Sequence, residues 1–332
     1  MYTGGTIGMI KDPHTGLLSN VDFNLIADHV PEIRRLNIDI DSVSIQQPTD
    51  SALMTTDHWN EIAQTIFENY AQYDGFVVLH GTDTMAYSAS ALSFMLDGLQ
   101  KPVVLTGSQL PIGIIRTDGK ENLITSLEIA SSCNQNGEPV IREVAVYFDY
   151  KLFRGNRSTK DSASEFEAFK SPNYLELASA GVDITFFSER LFNVGSKDLE
   201  LGLITSNEVA LIRMFPGMKW EHYHSVFDHS EVKAIVLETF GAGNALLTPF
   251  AVEMISEFIS QGGTILNITQ CSSGSVDQKK YKSAEQLMKL GVLGGADMTT
   301  EAAVSKLLYL LSNAPENVKE MVVQNLRGEI TN

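Results

Sequence analysis

The feature that most limits the folds open to this chain is a repeated alternation of short apolar runs with segments of helical periodicity. Residues 75–80 form a continuous, mostly apolar run, Gly-Phe-Val-Val-Leu-His, which is typical of a strand covered on both faces. In the segment before it, 57–70, apolar residues recur at helical spacing: Trp59, Ile62, Ala63, Ile66 and Phe67. Strand, helix and strand in succession predict a parallel sheet with right-handed crossovers.

The alternation occurs twice along the 332 residues. We predict an α/β fold with two doubly wound domains, a larger N-terminal domain with a parallel-dominated sheet and a smaller C-terminal α/β domain. The domains cover residues 1–188 and 207–332, and a polar stretch without periodicity, 189–206, is predicted to link them. Strands are predicted at 42–46, 75–80, 102–106, 143–150, 209–214, 233–238 and 264–268, and helices at 57–70, 84–96, 117–131, 248–260, 283–290, 299–311 and 315–324.

Charge and composition exclude several classes of partner. Lys and Arg number 24 and Asp and Glu 41, a net charge of −17, which argues against nucleic acid and against an anionic membrane surface. No apolar stretch is long enough to span a membrane, and the first residues show no signal-peptide pattern. Cys133 and Cys271 cannot form a disulfide framework, so we expect a cytoplasmic protein.

In open parallel sheets, ligands bind outside the carboxyl ends of the strands, so the strand–helix junctions are the places to search for chemistry. These junctions are rich in Gly, Thr, Ser and Asp: 3–8 (Thr-Gly-Gly-Thr-Ile-Gly), 48–51 (Pro-Thr-Asp-Ser), 80–84 (His-Gly-Thr-Asp-Thr) and 106–109 (Thr-Gly-Ser-Gln). One basic segment, 154–160 (Arg-Gly-Asn-Arg-Ser-Thr-Lys), follows the next predicted strand.

This inventory suits nucleophilic acyl transfer. A Thr hydroxyl can attack a carbonyl if a base takes its proton, a desolvated Lys can be that base, and backbone N–H groups of a Gly-rich turn can stabilise an oxyanion. Interpretations that do not involve acyl transfer also remain open for the same segments. The first junction fits a structural turn and, less well, a dinucleotide loop, since it is not G-x-G-x-x-G. The third fits a helix cap at Asp83 or Thr84, and Lys160 fits a solvated surface residue.

Other reactive residues are interpreted conservatively. His222, His224 and His229 lack Cys or carboxylate partners at metal-binding spacing, so no metal site is predicted. Cys271 is expected to be a small buried thiol, and His80 a packed histidine at a strand end.

Taken together, these motifs resemble the L-asparaginase family. The resemblance starts from residues 3–9 and 80–96 and covers essentially the whole chain. Further segments match its cytoplasmic, type I bacterial branch: 106–111, 154–160, 240–245, 267–274, 294–303 and 325–331. Members of the family hydrolyse L-asparagine to L-aspartate and ammonia without a cofactor.

The resemblance also implies roles for individual residues. Thr6 matches the acylated nucleophile, and Thr82, Asp83 and Lys160 match a triad that activates a Thr hydroxyl or the hydrolytic water. Asp83 also matches the carboxylate that binds the substrate's α-ammonium group.

The substrate-binding positions are matched as well. Asp50 and Ser51 match the segment that holds the substrate's α-carboxylate, and Ser108 matches a backbone carbonyl near the side-chain amide. Asn244 matches a residue offered by a neighbouring subunit, so a homodimer or homotetramer is expected.

The sequence departs from the family at three places. Leu17 stands where many relatives have a loop Tyr, and Tyr309 is the candidate to replace it. Glu238 stands where allosteric relatives have an Arg, which predicts no cooperative response to asparagine. Only Met1 and Tyr2 precede the first motif, where relatives have a strand of about seven residues, so the natural start is expected upstream or the strand clipped.

Two other functions are compatible with the same motifs. One is the ammonia-donating subunit of a tRNA-dependent amidotransferase, which needs a partner. The other is a non-catalytic amino-acid sensor, against which the retention of Thr6, Thr82, Asp83 and Lys160 argues.

Overall fold

The structure is a computed structural model that describes residues 1–11, 18–20, 29–193 and 195–331. Its contacts divide the chain into two compact units. The first comprises Met1–Ser171 and Leu175–Leu201, and the second comprises Pro172–Tyr174 and Gly202–Asn332. Both mix helices and strands, so the α/β prediction is confirmed.

The first unit contains three α-helices and twelve strands among the residues described. Its helices are α1 (Thr56–Asn69), α2 (Met85–Met95) and α3 (Gly119–Ser131). Its strands are β1 (Met9–Lys11), β2 (Leu18–Asn20), β3 (Phe76–Leu79), β4 (Leu96–Asp97), β5 (Val103–Thr106), β6 (Val144–Phe148), β7 (Lys151–Arg154), β8 (Thr159–Lys160), β9 (Phe169–Lys170), β10 (Ala178–Ala180), β11 (Ile184–Phe186) and β12 (Glu200–Leu201).

A six-stranded sheet organises this unit, in the order β11-β10-β7-β6-β5-β3. Strands β3, β5 and β6 are parallel, and the β7, β10 and β11 half is antiparallel. Strands β5 and β6 are buried along their whole length, as their unbroken apolar sequence predicts. Leu79 pairs with Thr106, so β3 and β5 end at the same edge and bring their following turns together.

The second unit has a parallel sheet of four strands in the order β13-β14-β15-β16. They are β13 (Val209–Arg213), β14 (Ala234–Thr239), β15 (Thr264–Thr269) and β16 (Leu293–Gly294), with helices α4 (Pro249–Ser260), α5 (Lys282–Lys289), α6 (Thr300–Asn313) and α7 (Val318–Met321). Alternate residues of β14 enter two apolar clusters, Ile235 with Phe258 of α4, and Val236 with Leu307 of α6. The sheet is therefore covered on both faces, as in a doubly wound domain.

Two predicted elements differ from those observed. Residues 42–46 form no strand and contribute only a single bridge between Ser44 and Tyr2. The predicted helix at 315–324 is a 3₁₀ turn, Pro315–Asn317, followed by the short α7, since Pro315 permits a helix to begin but its neighbours do not extend it.

Part of the predicted linker, 189–206, is held against the first unit by a strand pairing, ion pairs and hydrogen bonds. Strand β12 pairs with β4, and Lys197 forms ion pairs with Asp97 and Glu200. The Gln100 side chain also donates to the carbonyls of Gly195 and Lys197. Residues up to Leu201 thus belong to the first unit by contacts. The domain boundaries drawn from the sequence remain a proposal.

Candidate active site

Three turns meet at the carboxyl edge of the first unit's sheet, and glycines allow them to touch. Gly4 and Gly5 have φ of +111° and +87°, which residues with a side chain rarely adopt. A Cβ on Gly5 would lie 2.3 Å from Gly81 Cα, and one on Gly4 would lie 2.1 Å from the carbonyl oxygen of Thr49. The turns that carry Thr6, Asp50 with Ser51, and Thr82 are therefore in backbone contact.

Thr6 begins a short 3₁₀ turn, Thr6–Gly8, directly after these glycines. The residues before the turn are anchored by hydrogen bonds to the end of β3 and to Thr49. Thr3 N–H and its hydroxyl both donate to the Leu79 carbonyl at the end of β3, at 3.0 and 2.9 Å, and Thr49 N–H donates to the Thr3 carbonyl. Thr6 is half-buried while Ile7 beside it is fully buried, so the threonine lies at the surface of a rigid turn.

Lys160 meets Thr82 and Asp83, although 78 residues separate the lysine from the threonine. Its Nζ lies 2.8 Å from Thr82 Oγ1 and 2.6 Å from Asp83 Oδ1. Lys160 is only 17% exposed, whereas Asp83 is 59% exposed. Strand β8 holds the lysine by pairing with β9. The carboxylate is thus available to solvent and to a substrate, while the amine is largely enclosed.

Ser51 lies between the turns and is buried. A Cβ on Gly81 would lie 2.5 Å from Ser51 Oγ, which shows how close the two turns are. The Thr84 hydroxyl donates to the Ser51 carbonyl at 2.7 Å rather than capping α2, so the helix-cap interpretation does not hold for Thr84. Asp50 caps the next turn by accepting from Ala52 N–H.

Ser108 is buried in the turn after β5, and two residues that the sequence analysis did not select hold that turn. Asp118 accepts the backbone N–H groups of Gln109 and Leu110, and Asn122 donates to the Gly107 carbonyl. Ser108 Oγ itself donates to the Leu110 carbonyl at 2.6 Å, and the role assigned to the Ser108 backbone carbonyl remains a prediction. Because these hydrogen bonds join residues that are eight to fifteen positions apart, no local sequence motif predicts them.

His80 is fully buried at the strand end, which confirms its predicted structural role. Its Nδ1 donates to the Gly81 carbonyl at 2.7 Å, and its Nε2 lies 2.8 Å from Ser88 Oγ, which also accepts from the Trp59 indole. Burial lowers the pKa of His80 to about 4, so the ring is neutral near pH 7. The chain of bonds orients the peptide group next to Thr82.

The remaining candidates lie in the second unit. Asn244 closes a tight turn with Phe240, and its Oδ1 accepts from Ser283 Oγ. Tyr309 packs at the margin of the cluster around α6, with its ring against Gly202. The roles assigned to these two residues remain predictions.

Glu238 is 4% exposed at the end of β14, where Thr300 Oγ1 donates to one carboxylate oxygen and Arg213 lies 3.4 Å from the other. Its carboxylate is therefore already engaged.

One expectation from the sequence is wrong. Cys271 is exposed rather than buried, because it follows β15 in a loop that leaves the sheet, and its N–H donates to Thr269 Oγ1. Residues 12–17, among them Leu17, lie outside the described residues. Within the described ranges, no three His, Cys, Asp or Glu side chains are grouped as a metal site would require. No helix among them is both long and apolar enough to cross a membrane.

Comparisons with known proteins agree with this geometry. Residues 1–192 match the family model for the asparaginase N-terminal domain, and residues 208–322 match the glutaminase/asparaginase C-terminal domain. The chain is 39% identical over 333 residues to L-asparaginase 1 of Escherichia coli, covering 99% of this chain and 96% of that protein.

Solved structures are similar over the full length as well. L-asparaginase I from Vibrio cholerae is 39% identical with a TM-score of 0.88, covering 100% of this chain and 98% of the other. The L-asparaginase from Thermococcus kodakarensis is 32% identical with a TM-score of 0.90 and the same coverage. The chain, with both family domains in order and a Thr–Lys–Asp cluster at the predicted edge, belongs to the asparaginase family.

Proposed function

We propose that this chain hydrolyses L-asparagine to L-aspartate and ammonia through an acyl-enzyme on Thr6. The observation that carries the proposal is the contact of Lys160 with Thr82 and Asp83, in the turn whose Gly81 lies against the turn of Thr6. The turn that carries Thr6 is thus held against the turn whose Thr82 and Asp83 contact Lys160, so a nucleophile and a proton-transfer group lie on adjoining segments, as covalent catalysis requires. Membership of the asparaginase family, and the similarity to L-asparaginase 1 of Escherichia coli, support the same reaction.

Substrate binding uses the charges at the mouth of this site. The exposed carboxylate of Asp83 can accept hydrogen bonds from the α-ammonium group of asparagine, and the Asp50–Ser51 turn, held against Gly81, offers donors to the α-carboxylate. A small zwitterion would be fixed at both charged groups, leaving its side-chain amide to reach toward Thr6 and the Ser108 carbonyl. This arrangement favours an amino-acid amide as substrate.

The reaction proceeds in two steps. The Thr6 hydroxyl oxygen attacks the amide carbon, its proton passes to the departing nitrogen, and ammonia leaves an ester on Thr6. Water then attacks the ester carbon and gives a proton to Lys160, whose amine is held by Thr82 and Asp83. The proton returns to the Thr6 oxygen as the ester C–O bond breaks, which restores the Thr6 hydroxyl and releases aspartate. Lys160 is the base of this step and must be neutral to accept the proton. Backbone N–H groups of the Gly-rich turn stabilise the oxyanion of each step.

The nucleophile is tested by Thr6→Ala. Loss of a covalent nucleophile is expected to lower kcat by about three orders of magnitude or more while the fold stays intact. Thr185→Ala, at an exposed position of β11, is the control and should keep full activity. Ammonia release is measured with asparagine and with glutamine. A folded Thr6→Ala protein with near-normal turnover would exclude the acyl-enzyme.

The proton-transfer unit is tested with Lys160→Met, Thr82→Val and their double variant. Residues that act as one unit show strongly non-additive losses, so the double variant should be about as slow as the worse single variant. Losses that multiply would mean that the two residues act separately.

We also propose a homodimer or homotetramer in the cytoplasm, with Asn244 acting at a neighbouring subunit's site. Support comes from the match of Asn244 to the family and from two exposed free thiols, Cys133 and Cys271, which suit a reducing compartment. Light scattering at assay concentration tests the assembly. A fully active monomer would contradict it.

A further inference from the structure

The side chain of Gln109 connects Thr82 to the loop that follows Lys160. Its Nε2 lies 2.9 Å from the Glu165 carbonyl oxygen, and its Oε1 lies 3.3 Å from Thr82 Oγ1. A carbonyl can only accept, so the amide nitrogen must face Glu165 and the amide oxygen must face Thr82. The Thr82 hydroxyl is consequently the donor in its bond to Gln109.

This assignment fixes the direction of the Thr82 proton. With its hydrogen on the Gln109 side, the Thr82 oxygen turns a lone pair toward Lys160, whose Nζ donates to it at 2.8 Å. Lys160 then donates one hydrogen to Thr82 and one to Asp83, and a neutral amine held in this way keeps its lone pair free to accept a proton. Without Gln109 the hydroxyl would be free to rotate and to compete with the lysine's own hydrogens.

Both ends of the glutamine are themselves held. Asp118 accepts its backbone N–H at 2.9 Å, which positions the residue from the start of α3. On the other side, Ser162 Oγ accepts the N–H of Glu165 at 3.0 Å, and Asp161 N–H donates to the Ala168 carbonyl. The amide therefore lies between two braced segments rather than on a free loop.

We propose that Gln109 is a positioning residue that orients the Thr82 hydroxyl so that its lone pair faces Lys160 during proton transfer. The inference rests on the proposed roles of Thr82 and Lys160. In this role Gln109 need not contact the substrate. Its loss should therefore lower kcat and leave KM nearly unchanged. A hydrogen bond that only joins two loops would instead alter stability or KM.

The experiment compares Gln109→Met, which keeps the length and removes both hydrogen bonds, with Gln100→Met. Gln100 is the control because its side chain also holds a loop through backbone carbonyls, those of Gly195 and Lys197. We expect Gln109→Met to lower kcat by roughly 3- to 30-fold, the effect of losing one orienting hydrogen bond, with KM changed by less than about threefold. Gln100→Met should leave both constants within about twofold.

A double-variant cycle gives the decisive readout. In the Thr82→Val background the Gln109 change should lower kcat by less than about twofold, because the hydroxyl it orients is gone. If turnover of Thr82→Val is below detection, the comparison of kcat with KM in Gln109→Met decides. If Gln109→Met does not fold by circular dichroism, Gln109→Leu takes its place under the same criteria.

Three results would overturn the proposal: an unchanged kcat, a loss expressed mainly in KM, or equal losses with and without the Thr82 hydroxyl. Different results would show that the proposed asparaginase activity itself is wrong. Wild-type protein would then release no ammonia from asparagine, or Thr82→Val would keep full activity.

Discussion

Gly5→Ala should separate the turn of Thr6 from the turn of Thr82 without removing a catalytic group. Gly5 has a φ of +87°, and a Cβ there would lie 2.3 Å from Gly81 Cα and 2.4 Å from Gly81 N. These are backbone atoms next to Thr82, and they cannot move aside as a flexible side chain could. The substitution therefore probes the distance between two parts of the site.

Two effects contribute to the expected magnitude. A residue with a Cβ at positive φ costs roughly 1–2 kcal/mol of stability. In addition, ordinary contact begins at 3.4 Å, so the two turns must separate by about 1 Å. A displacement of about 1 Å at reacting groups can cost about 100-fold in rate. We expect kcat to fall by about two orders of magnitude and the unfolding free energy to fall by more than about 2 kcal/mol.

Gly137→Ala supplies the control for backbone strain. Gly137 has a φ of +79°, but nothing lies within 4 Å of a Cβ placed there. It should lose stability of about 1–2 kcal/mol from strain alone and keep its kcat. Ammonia release and urea unfolding are measured for both variants. If Gly5→Ala keeps a kcat within about threefold of Gly137→Ala, close contact between the turns is not needed for catalysis.

Three further predictions concern stability and regulation. Lys306→Met should lower the unfolding free energy by about 3–5 kcal/mol, because the buried Glu329 carboxylate loses its ammonium partner and is left with the backbone N–H groups of Leu326 and Arg327. Lys289→Met, in an exposed pair with Glu285, should change the unfolding free energy by less than about 0.5 kcal/mol in the same urea titration. His80 has a folded-state pKa of about 4 against an ordinary 6.5, so the unfolded chain takes up a proton first as pH falls, and stability should drop by up to about 3 kcal/mol between pH 6.5 and 4. A His80→Gln variant with the same pH slope as wild type would contradict this. Because Glu238 is buried and engaged by Thr300, asparagine saturation should be hyperbolic, and a Hill coefficient clearly above one would show a second site.

The α/β class and the chemistry of the strand–helix junctions could be predicted from the order of the residues alone. Apolar runs such as those of β5 and β6 require cover on both faces, and parallel strands send their following turns to one edge. That is why Thr82, Ser108 and the turn of Thr6 could be selected as neighbours before any coordinates. The resemblance to asparaginases then assigned each residue a role.

The tertiary structure alone decided contacts made over long stretches of chain. Lys160 reaches Thr82 across 78 residues, and Gln109 reaches Glu165 across 56, so no spacing rule predicts either. Which side chains are exposed to solvent also depends on the tertiary structure. Cys271 has the small, apolar character of a buried thiol, yet its loop leaves the sheet and exposes it.

The same division explains the strand predicted at residues 42–46. Its alternating pattern is compatible with a strand, but a strand is defined by hydrogen bonds to a neighbouring strand, and among the residues that the structure describes Tyr2 alone forms a bridge there. Local sequence sets which conformations a segment can adopt, whereas pairing partners, burial and the orientation of a hydroxyl proton depend on what the rest of the chain brings beside it.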